Sequence, residues 1–248
     1  MSEAIRASVA MAVYNGEKYI RQQIDSILDC MSPEDELVIS YDRSTDSTRQ
    51  IIDGYAAADS RVRVIDNDNP GVQNNFNNAV LACRGEYIFL ADQDDVWLPG
   101  KIDHVVEVFR STGADVVIHD GYITDENLNV QPGSFFQNGS TCNGPIRNII
   151  RCHFWGCCMA FRASLRGIVC PFPNTHAIGH DLWIGVLAGF YGKIVRTDEC
   201  LMKHRLHSSN VTTRHSRSLP VIVDHRIALI RELIKRARFL HRQKGNHQ

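Results

Sequence analysis

The chain has 248 residues, of which 44% are hydrophobic and 22% are charged. This composition supplies a substantial core and excludes a disordered polymer, and the length suits one large domain with at most an appendage. The formal net charge of -1 excludes a nucleic-acid-binding protein that works by bulk positive charge.

Three features indicate a cytoplasmic protein. No apolar run is long enough for a spanning helix, and the first six residues hold no apolar signal core. The eight cysteines form no Cys-x-x-Cys pair. We therefore expect reduced thiols that mostly fill the core.

The first ninety residues alternate between strand and helix patterns. Short apolar, β-prone runs predict strands, and apolar residues at three- and four-residue steps predict helices. In chain order these are a strand over Ala7–Val13, a helix over Glu17–Cys30, a strand over Glu36–Tyr41, a helix from the capping residues 44–46 through Ala58, a strand over Arg61–Ile65, a helix ending near Cys83 and a strand over Tyr87–Ala91. This order predicts an α/β fold whose mostly parallel central sheet is flanked by helices.

The second half is less regular, although the same patterns recur. It predicts a helix over Lys101–Arg110, a strand over Val116–His119, a mobile loop over Gln131–Gly144, a strand over Cys157–Phe161, a helix over Asp181–Phe190, a strand over Lys193–Arg196 and a tail helix from Val221. The core fold should therefore end before the tail helix.

Polar residues follow three of the predicted strands. Tyr14 and Asn15 come after the first strand, Asp42 after the second, and residues 92–95 after the fourth. Ligands of parallel α/β sheets bind at the carboxyl ends of the strands. We expect these residues to form one acidic rim that holds a ligand.

The segment Asp92-Gln93-Asp94-Asp95 places three carboxylates within four residues. Like charges this close raise one another's pKa values unless a cation is present, and Mg²⁺ or Mn²⁺ prefers carboxylate oxygens. Alternatively, Asp94 or Asp95 caps the helix that begins near Pro99. Both interpretations are open at this point.

Four segments in order carry a resemblance to a known family. They are Ser8–Gly16, Gly85–Pro99, Gly156–Arg162 and His180–Gly185. Together they resemble inverting family 2 glycosyltransferases of the GT-A fold, and the Asp-Gln-Asp-Asp form is most similar to the rhamnosyltransferase-like subgroup. The resemblance implies a Rossmann-like nucleotide-diphospho-sugar transferase fold.

The resemblance also implies a donor site for a nucleotide-sugar. Ala12 and Tyr14 would lie beside the uracil or thymine, and Asp42 would accept the hydrogen of the pyrimidine N3. Arg205 would balance the phosphate charge. Asp95 would orient the donor sugar or a ligated water.

One segment departs from the family pattern. Tyr41 and Arg43 stand where the family commonly has an aspartate and a glycine. Glycine adopts a positive φ without strain, whereas arginine does not. Either the loop around Arg43 keeps a negative φ, or it is strained.

The resemblance implies a Mn²⁺ or Mg²⁺ ion on Asp92 and Asp94, with His207 completing the ligand set. His207 belongs to an Arg-x-His-x-x-Asn pattern that Arg205 begins and Asn210 ends. The ion would stabilise the leaving nucleoside diphosphate. The alternative is a basic surface loop.

The catalytic base of the family corresponds to Asp181. It would take the proton from the acceptor hydroxyl, and a helix N-terminus would keep it ionised. A plain helix cap is the alternative. Trp155 and Trp183 either line the acceptor side or belong to the core.

The charge is unevenly distributed, with an acidic body followed by a basic tail. Residues 203–248 hold 11 Lys and Arg against 2 Asp and Glu, a net charge of +9, whereas the first 202 residues have a net charge of -10. Apolar residues at helical spacing and basic residues on another face predict a basic amphipathic helix over 221–242. It would contact an anionic membrane surface, its own domain or a second subunit.

The sequence thus predicts a catalytic domain over residues 1–215, with a nucleotide-binding half at 1–98 and an acceptor-side half at 99–215, followed by a basic tail at 216–248. The expected activity is transfer from dTDP-L-rhamnose or a UDP-hexose to a growing, lipid-linked bacterial surface glycan, in the cytoplasm or at the inner face of the plasma membrane. The alternatives are a sugar-nucleotide pyrophosphorylase and a degenerate, non-catalytic nucleotide-binding relative.

Overall fold

A computed structural model of the chain describes residues 4–138, 144–208, 210 and 218–245. The strands are Ala7–Val13 (β1), Asp35–Tyr41 (β2), Val62–Asp66 (β3), Tyr87–Ala91 (β4), Val96–Trp97 (β5), Val116–Thr124 (β6), Val130–Ser134 (β7), Met159–Arg162 (β8) and Ile194–Arg205 (β9). The helices are Ile20–Leu28 (α1), Thr48–Ala58 (α2), Val72–Ala82 (α3), Lys101–Thr112 (α4), Phe135–Asn138 (α5), Pro145–Ile150 (α6), Arg166–Val169 (α7), His180–Tyr191 (α8) and Leu219–Gly245 (α9).

The described strands form one mixed sheet in the order β3-β2-β1-β4-β8-β6-β9-β5, with β7 beside β6. β1 pairs in parallel with β2 and β4, β2 with β3, and β6 with β9. The other pairs are antiparallel. The predicted α/β fold with a mostly parallel sheet flanked by helices is confirmed.

β1, β2 and β4 are buried almost completely, whereas β3 at the edge of the sheet is mostly half-buried. Every residue of β2 and β4 is buried, which explains their nearly continuous apolar sequences. Parallel register sets Val13 opposite Tyr41 and Met11 opposite Ala91. The polar residues after these strands consequently lie along one edge of the sheet, as predicted.

Two predictions about the second half are wrong. The strand predicted over 193–196 extends to Arg205, because β9 pairs along β6 and then with β5. The loop predicted over 131–144 contains β7 and α5, and its residues 139–143 lie outside the described part of the chain. Pairing of Tyr122 with Ser134 holds β7 in the sheet despite its Gly and Pro content.

The described cysteines are free thiols. Most of them are buried, and Cys142 lies outside the described residues. Among the helices that the structure describes, none combines the length and the apolar character needed to cross a membrane.

Candidate active site

The ends of β1 and β4 are joined by a reciprocal pair of hydrogen bonds. The Tyr14 backbone N–H donates to Gln93 Oε1 at 2.9 Å, and Gln93 Nε2 donates to the Tyr14 carbonyl at 2.8 Å. A Cβ on Gly16 would lie 2.6 Å from Gln93 Oε1, so a larger residue at position 16 would have to displace the Gln93 amide from this pair. The Tyr14 side chain is 54% exposed, and half-buried Ala12 precedes it on the same strand. Because it is exposed, the Tyr14 ring can stack against a flat ligand.

Asp42 lies buried directly after β2. Its Oδ1 accepts a hydrogen bond from Asn67 Nδ2 at 2.6 Å, and its Oδ2 accepts one from the Gly71 backbone N–H at 2.9 Å. A carboxylate oxygen has two lone pairs, so each oxygen can accept one further donor. The carboxylate is fixed in orientation, and its predicted contact with a pyrimidine N3 stays a prediction.

The unusual residues beside Asp42 adopt unstrained conformations. Tyr41 is buried, and its hydroxyl accepts a hydrogen bond from the Ser44 backbone N–H at 2.9 Å. Arg43 is exposed, and the positive-φ residues other than glycine in the described chain are Asn15 and Leu128. Of the two possibilities left by the sequence, the loop therefore uses a negative φ at Arg43.

Asp92 and Asp94 are half-buried carboxylates whose protonation is perturbed. Burial, followed by the charges of Asp95 and Asp94, raises the pKa of Asp92 to about 8. Burial and the charge of Asp95 also raise the pKa of Asp94. Such carboxylates favour a bound divalent cation, because it relieves their mutual repulsion.

His207 lies against Asp94, although 113 residues separate them. The His207 Nε2 is 2.8 Å from Asp94 Oδ2, and the His207 backbone N–H donates to Asn210 Oδ1 at 2.6 Å. Antiparallel pairing of Val96 with Lys203 brings the two segments together. The Asp94 carboxylate and the His207 imidazole offer an oxygen donor and a nitrogen donor to a cation, and Asp92 lies close enough for its charge to interact with that of Asp94.

The alternative that Asp94 or Asp95 caps a helix is wrong. α4 begins at Lys101 after a left-handed Gly100, and no side chain caps it. The two carboxylates instead accept hydrogen bonds from residues at the end of β9. The acidic segment therefore faces the C-terminal strand rather than the next helix.

Asp95 is completely buried and binds the end of β9. Its Oδ1 lies 2.8 Å from His204 Nδ1 and accepts the Arg205 backbone N–H at 3.1 Å. Burial lowers the pKa of His204, but the charge and hydrogen bond of Asp95 outweigh it and raise that pKa to about 12. This ion pair holds the acidic segment against β9, and complete burial argues against the predicted contact between Asp95 and the donor.

Arg205 is buried as well, and its guanidinium binds three protein oxygens. It donates to the Asp94 carbonyl at 2.9 Å, the Glu126 carbonyl at 2.7 Å and Gln22 Oε1 at 2.6 Å. The guanidinium also lies 4.7 Å from the centre of the Tyr19 ring. These contacts make Arg205 a support for the acidic segment, and its predicted phosphate contact stays a prediction.

Asp181 is the second residue of α8, as the predicted helix required. Its Oδ1 accepts the Leu182 backbone N–H at 2.7 Å in the first turn of the helix. The Asp181 charge contributes to the raised pKa of Asp92, so the two carboxylates lie within electrostatic reach. The predicted base and the predicted metal ligands thus border one site.

The profile of glycosyl transferase family 2 matches residues 8–168. The chain belongs to glycosyltransferase family 2. Its relatives include a glycosyltransferase of Bacillus subtilis (strain 168), TuaG, named for teichuronic acid biosynthesis, which is 30% identical over 83% of this chain and 81% of its own length. An uncharacterized glycosyltransferase of Nostoc sp. is 29% identical over 83% of this chain and 66% of its own length.

Solved structures share the GT-A fold of this family 2 glycosyltransferase. S. aureus TarS 1-349 in complex with UDP-GlcNAc superposes with a TM-score of 0.70 at 20% identity, covering 89% of this chain and 64% of TarS 1-349. The mannosyltransferase PcManGT from Pyrobaculum calidifontis, in complex with GDP-Man and Mn²⁺, gives a TM-score of 0.62 at 14% identity over 98% and 81% of the two chains. The chain thus spans about two thirds of the Nostoc relative and of the TarS structure.

Family membership decides between the predicted alternatives for the enzyme class. The sugar-nucleotide pyrophosphorylase alternative is wrong, because the matched family is a glycosyltransferase family. None of the comparisons reported above supports the rhamnosyltransferase-like subgroup. The chain is therefore assigned to the family without a subgroup.

Of the two tryptophans considered for the acceptor side, Trp183 belongs to the core of this glycosyltransferase. Trp183 is 1% exposed, and its Nε1 donates to the Val169 carbonyl at 2.8 Å. Trp155 is half-buried, with its ring centre 5.0 Å from that of Phe135. An acceptor contact of Trp183 is excluded by its burial, and one of Trp155 stays a prediction.

Several residues of the site were missed by sequence reasoning. Tyr19 and Gln22 could have been found from their spacing, because i and i+3 positions share one helix face. The others act through long-range contacts that no local pattern reveals. The missed residues are Tyr19, Gln22, Asn67, Glu126 and His204.

Proposed function

We propose that this chain is an inverting, metal-dependent glycosyltransferase that moves a sugar from a pyrimidine nucleotide-sugar to a hydroxyl of a bacterial surface glycan. The observation that carries the proposal is the meeting of Asp94 with His207, beside Asp92 and within electrostatic reach of Asp181. These are the groups that a metal-assisted displacement requires.

In the proposed reaction Asp181 acts as the general base. The acceptor hydroxyl loses its proton to the Asp181 carboxylate while its oxygen attacks the anomeric carbon of the donor sugar. The bond from that carbon to the diphosphate oxygen breaks, and the nucleoside diphosphate leaves. One displacement on the opposite face inverts the anomeric configuration.

Asp92, Asp94 and His207 are the residues that would hold Mn²⁺ or Mg²⁺. When bound, the ion supplies positive charge to the leaving diphosphate. The mutual repulsion of the carboxylates supports this assignment, since a cation relieves it. The Mn²⁺ bound by PcManGT is a further support from a protein of the same fold.

A uridine or thymidine diphosphate sugar is the proposed donor. Its base would lie against Ala12 and Tyr14, with N3–H donated to Asp42. The UDP-GlcNAc complex of TarS supports a UDP-sugar, whereas the GDP-Man complex of PcManGT shows that the fold alone does not fix the base. We rank a UDP-hexose first and keep dTDP-L-rhamnose as the second donor to test.

The proposed acceptor is a growing surface glycan that is linked to a lipid. The Bacillus subtilis relative that is named for teichuronic acid biosynthesis supports an acceptor of this class. Such an acceptor places the enzyme in the cytoplasm at the inner face of the plasma membrane. In this proposal residues 1–98 bind the donor, residues 99–215 face the acceptor and residues 216–248 form the basic tail.

The substitution Asp181→Asn tests the proposed chemistry. Asparagine keeps the size of the side chain but cannot take the proton, so we expect transfer to fall by about 100- to 10,000-fold. Transfer is measured with a radiolabelled nucleotide-sugar and a bacterial membrane fraction as acceptor. Binding of UDP should survive.

Asp198→Asn is the matched control, because Asp198 is exposed on β9 and carries no proposed role. It should transfer like the wild type. Persistent transfer by the Asp181→Asn variant would show that the base is another residue. Loss of UDP binding in that variant would show a structural role instead. Absence of transfer by the wild type, together with retained UDP binding, would favour the non-catalytic alternative.

A further inference from the structure

An apolar stripe runs along the outer side of α9. Its four members, spaced at three- and four-residue steps, are each between 45% and 55% exposed: Val223, Ile227, Ile230 and Ile234. Scattered exposed apolar residues are ordinary, but a contiguous stripe indicates an interaction surface. The long C-terminal helix predicted from the sequence is confirmed, and this apolar stripe faces solvent.

The helix contacts its own domain with a different face. Leu229 is fully buried, and Arg236, 9% exposed, donates through Nη1 to the Cys170 carbonyl at 2.8 Å and through Nη2 to the Pro171 carbonyl. At 100° per residue these two positions lie roughly 130° and 150° around the helix from the middle of the stripe. Packing therefore fixes the outward orientation of the stripe, and the domain cannot cover it without releasing these contacts.

The short helix α6 extends the apolar surface. Arg226 Nε donates to the Ile150 carbonyl at 3.2 Å, which joins the end of α6 to the side of α9 that borders the stripe. Ile146 and Ile150 are 68% and 69% exposed. We call the combined surface the docking face, and it consists of Ile146, Ile150, Val223, Ile227, Ile230 and Ile234.

Positive charge flanks the docking face on both helices. In the described part of α6 and α9, Asp224 and Glu232 are the acidic residues, and Glu232 pairs with Lys235. The exposed cations are Arg147, Arg151, Arg231, Lys235, Arg238 and Arg242. An occupant of this surface must therefore accept apolar side chains and carry negative charge.

We propose that the docking face binds an anionic phospholipid bilayer. A second copy of the chain is disfavoured, since a two-fold interface sets the same basic surface against itself. A bilayer with anionic headgroups accepts the isoleucines at its acyl boundary and the arginines at its surface. The proposal rests on the proposed location of the enzyme at the inner face of the plasma membrane. It identifies the surface of the protein that binds there.

Vesicle binding tests the docking face with the full chain and without a glycosyl acceptor. We expect co-sedimentation with vesicles of 70% phosphatidylcholine and 30% phosphatidylglycerol, and little with pure phosphatidylcholine. Ile234→Gln should weaken the partition constant about fivefold or more. The double substitution Arg238→Gln/Arg242→Gln should weaken it about 25-fold at low salt.

Matched controls are available at exposed positions elsewhere. Leu81→Gln on α3 matches Ile234→Gln in exposure, 51% against 47%, and Arg84→Gln/Arg110→Gln matches the double arginine variant. The controls should bind vesicles like the wild type. Every variant should show the same UDP-induced thermal shift as the wild type. Weaker vesicle binding with an unchanged thermal shift would then concern the docking face and not the proposed transferase function.

Three results would overturn the proposal. One is equal partition of the wild type to neutral and anionic vesicles, and another is equal partition of the docking-face variants and their controls. The third is a dimer in sedimentation experiments that Ile234→Gln dissociates, because it would show that a second copy covers the face.

Discussion

At the scale of single residues, the site combines groups that follow strands with groups that arrive from far along the chain. Tyr14, Asp42 and Asp92 could be placed together from the sequence, because parallel strands end at one edge. His207 reached the site only through a family pattern. Its contact with Asp94 depends on the pairing of β5 with β9, which spans more than 100 residues and leaves no local signal.

The metal site makes a prediction about His207. His207→Ala removes one ligand of the proposed set but leaves both carboxylates. We expect the Mn²⁺ concentration for half-maximal transfer to rise about tenfold or more, in line with the effect of disturbing a metal's surroundings. A Mn²⁺ titration of transfer measures it. His241→Ala, at an exposed position of α9, is the control, and an unchanged Mn²⁺ requirement in His207→Ala would remove His207 from the ligand set.

Asp42 makes a prediction about base recognition. Asp42→Asn replaces the charged carboxylate by an amide with a single oxygen, which can keep the hydrogen bond from Asn67 or from the Gly71 N–H but not both. A hydrogen bond to a charged group contributes about 1.5–3 kcal/mol, so UDP affinity should fall about 10- to 100-fold. Calorimetric titration with UDP measures it, with exposed Asp68→Asn as the control. Equal UDP affinities of the wild type and Asp42→Asn would refute the proposed N3–H contact.

At the scale of elements, β9 does more than the sequence predicted. Only its first residues show a strand pattern, yet it extends over 12 residues and carries His204 and Arg205 to the acidic segment. The sequence analysis could not foresee this, since charged residues obscure the pattern and tertiary pairing overrides local propensity. By contrast, β1, β2 and β4 are buried on both faces, and their apolar runs predicted them to within one residue.

The ion pair between Asp95 and His204 makes a prediction about stability. His204→Gln leaves a buried carboxylate without its cation, which should lower the free energy of unfolding near pH 7 by about 3–5 kcal/mol. The pKa of His204 rises from 6.5 to about 12 on folding, so the pair stabilises fully below pH 6.5 and progressively less as pH rises toward 12. The stability gap between wild type and variant should therefore narrow from pH 7 to pH 9.

Urea denaturation of both proteins at pH 7 and pH 9 measures this gap. His225→Gln would disturb contacts of α9, so exposed His241→Gln serves as the control and should lie within about 0.5 kcal/mol of the wild type. A gap that is constant or widens with pH would contradict a charged His204 in the folded state.

At the scale of the whole molecule, the acidic residues and the basic tail form two different surfaces. The acidic residues of the first half form a rim that needs a cation, while the basic tail forms a helix whose outer face is apolar and positive. Charge counts along the sequence predicted an acidic body and a basic tail helix. They could not show which face of α9 meets the domain, because that depends on Leu229 and Arg236 fitting against residues near Cys170.

The central claim is that a pyrimidine nucleotide binds this rim together with a divalent cation. A thermal-shift titration with UDP, dTDP, GDP and CDP, each with and without Mn²⁺, tests it directly, since a ligand that binds only the native state raises the midpoint of unfolding. We predict a Mn²⁺-dependent rise with UDP or dTDP and none with CDP, because cytosine has no N3–H to donate to Asp42. Equal shifts of the unfolding midpoint with all four nucleotides, or midpoint shifts that do not depend on Mn²⁺, would contradict the account.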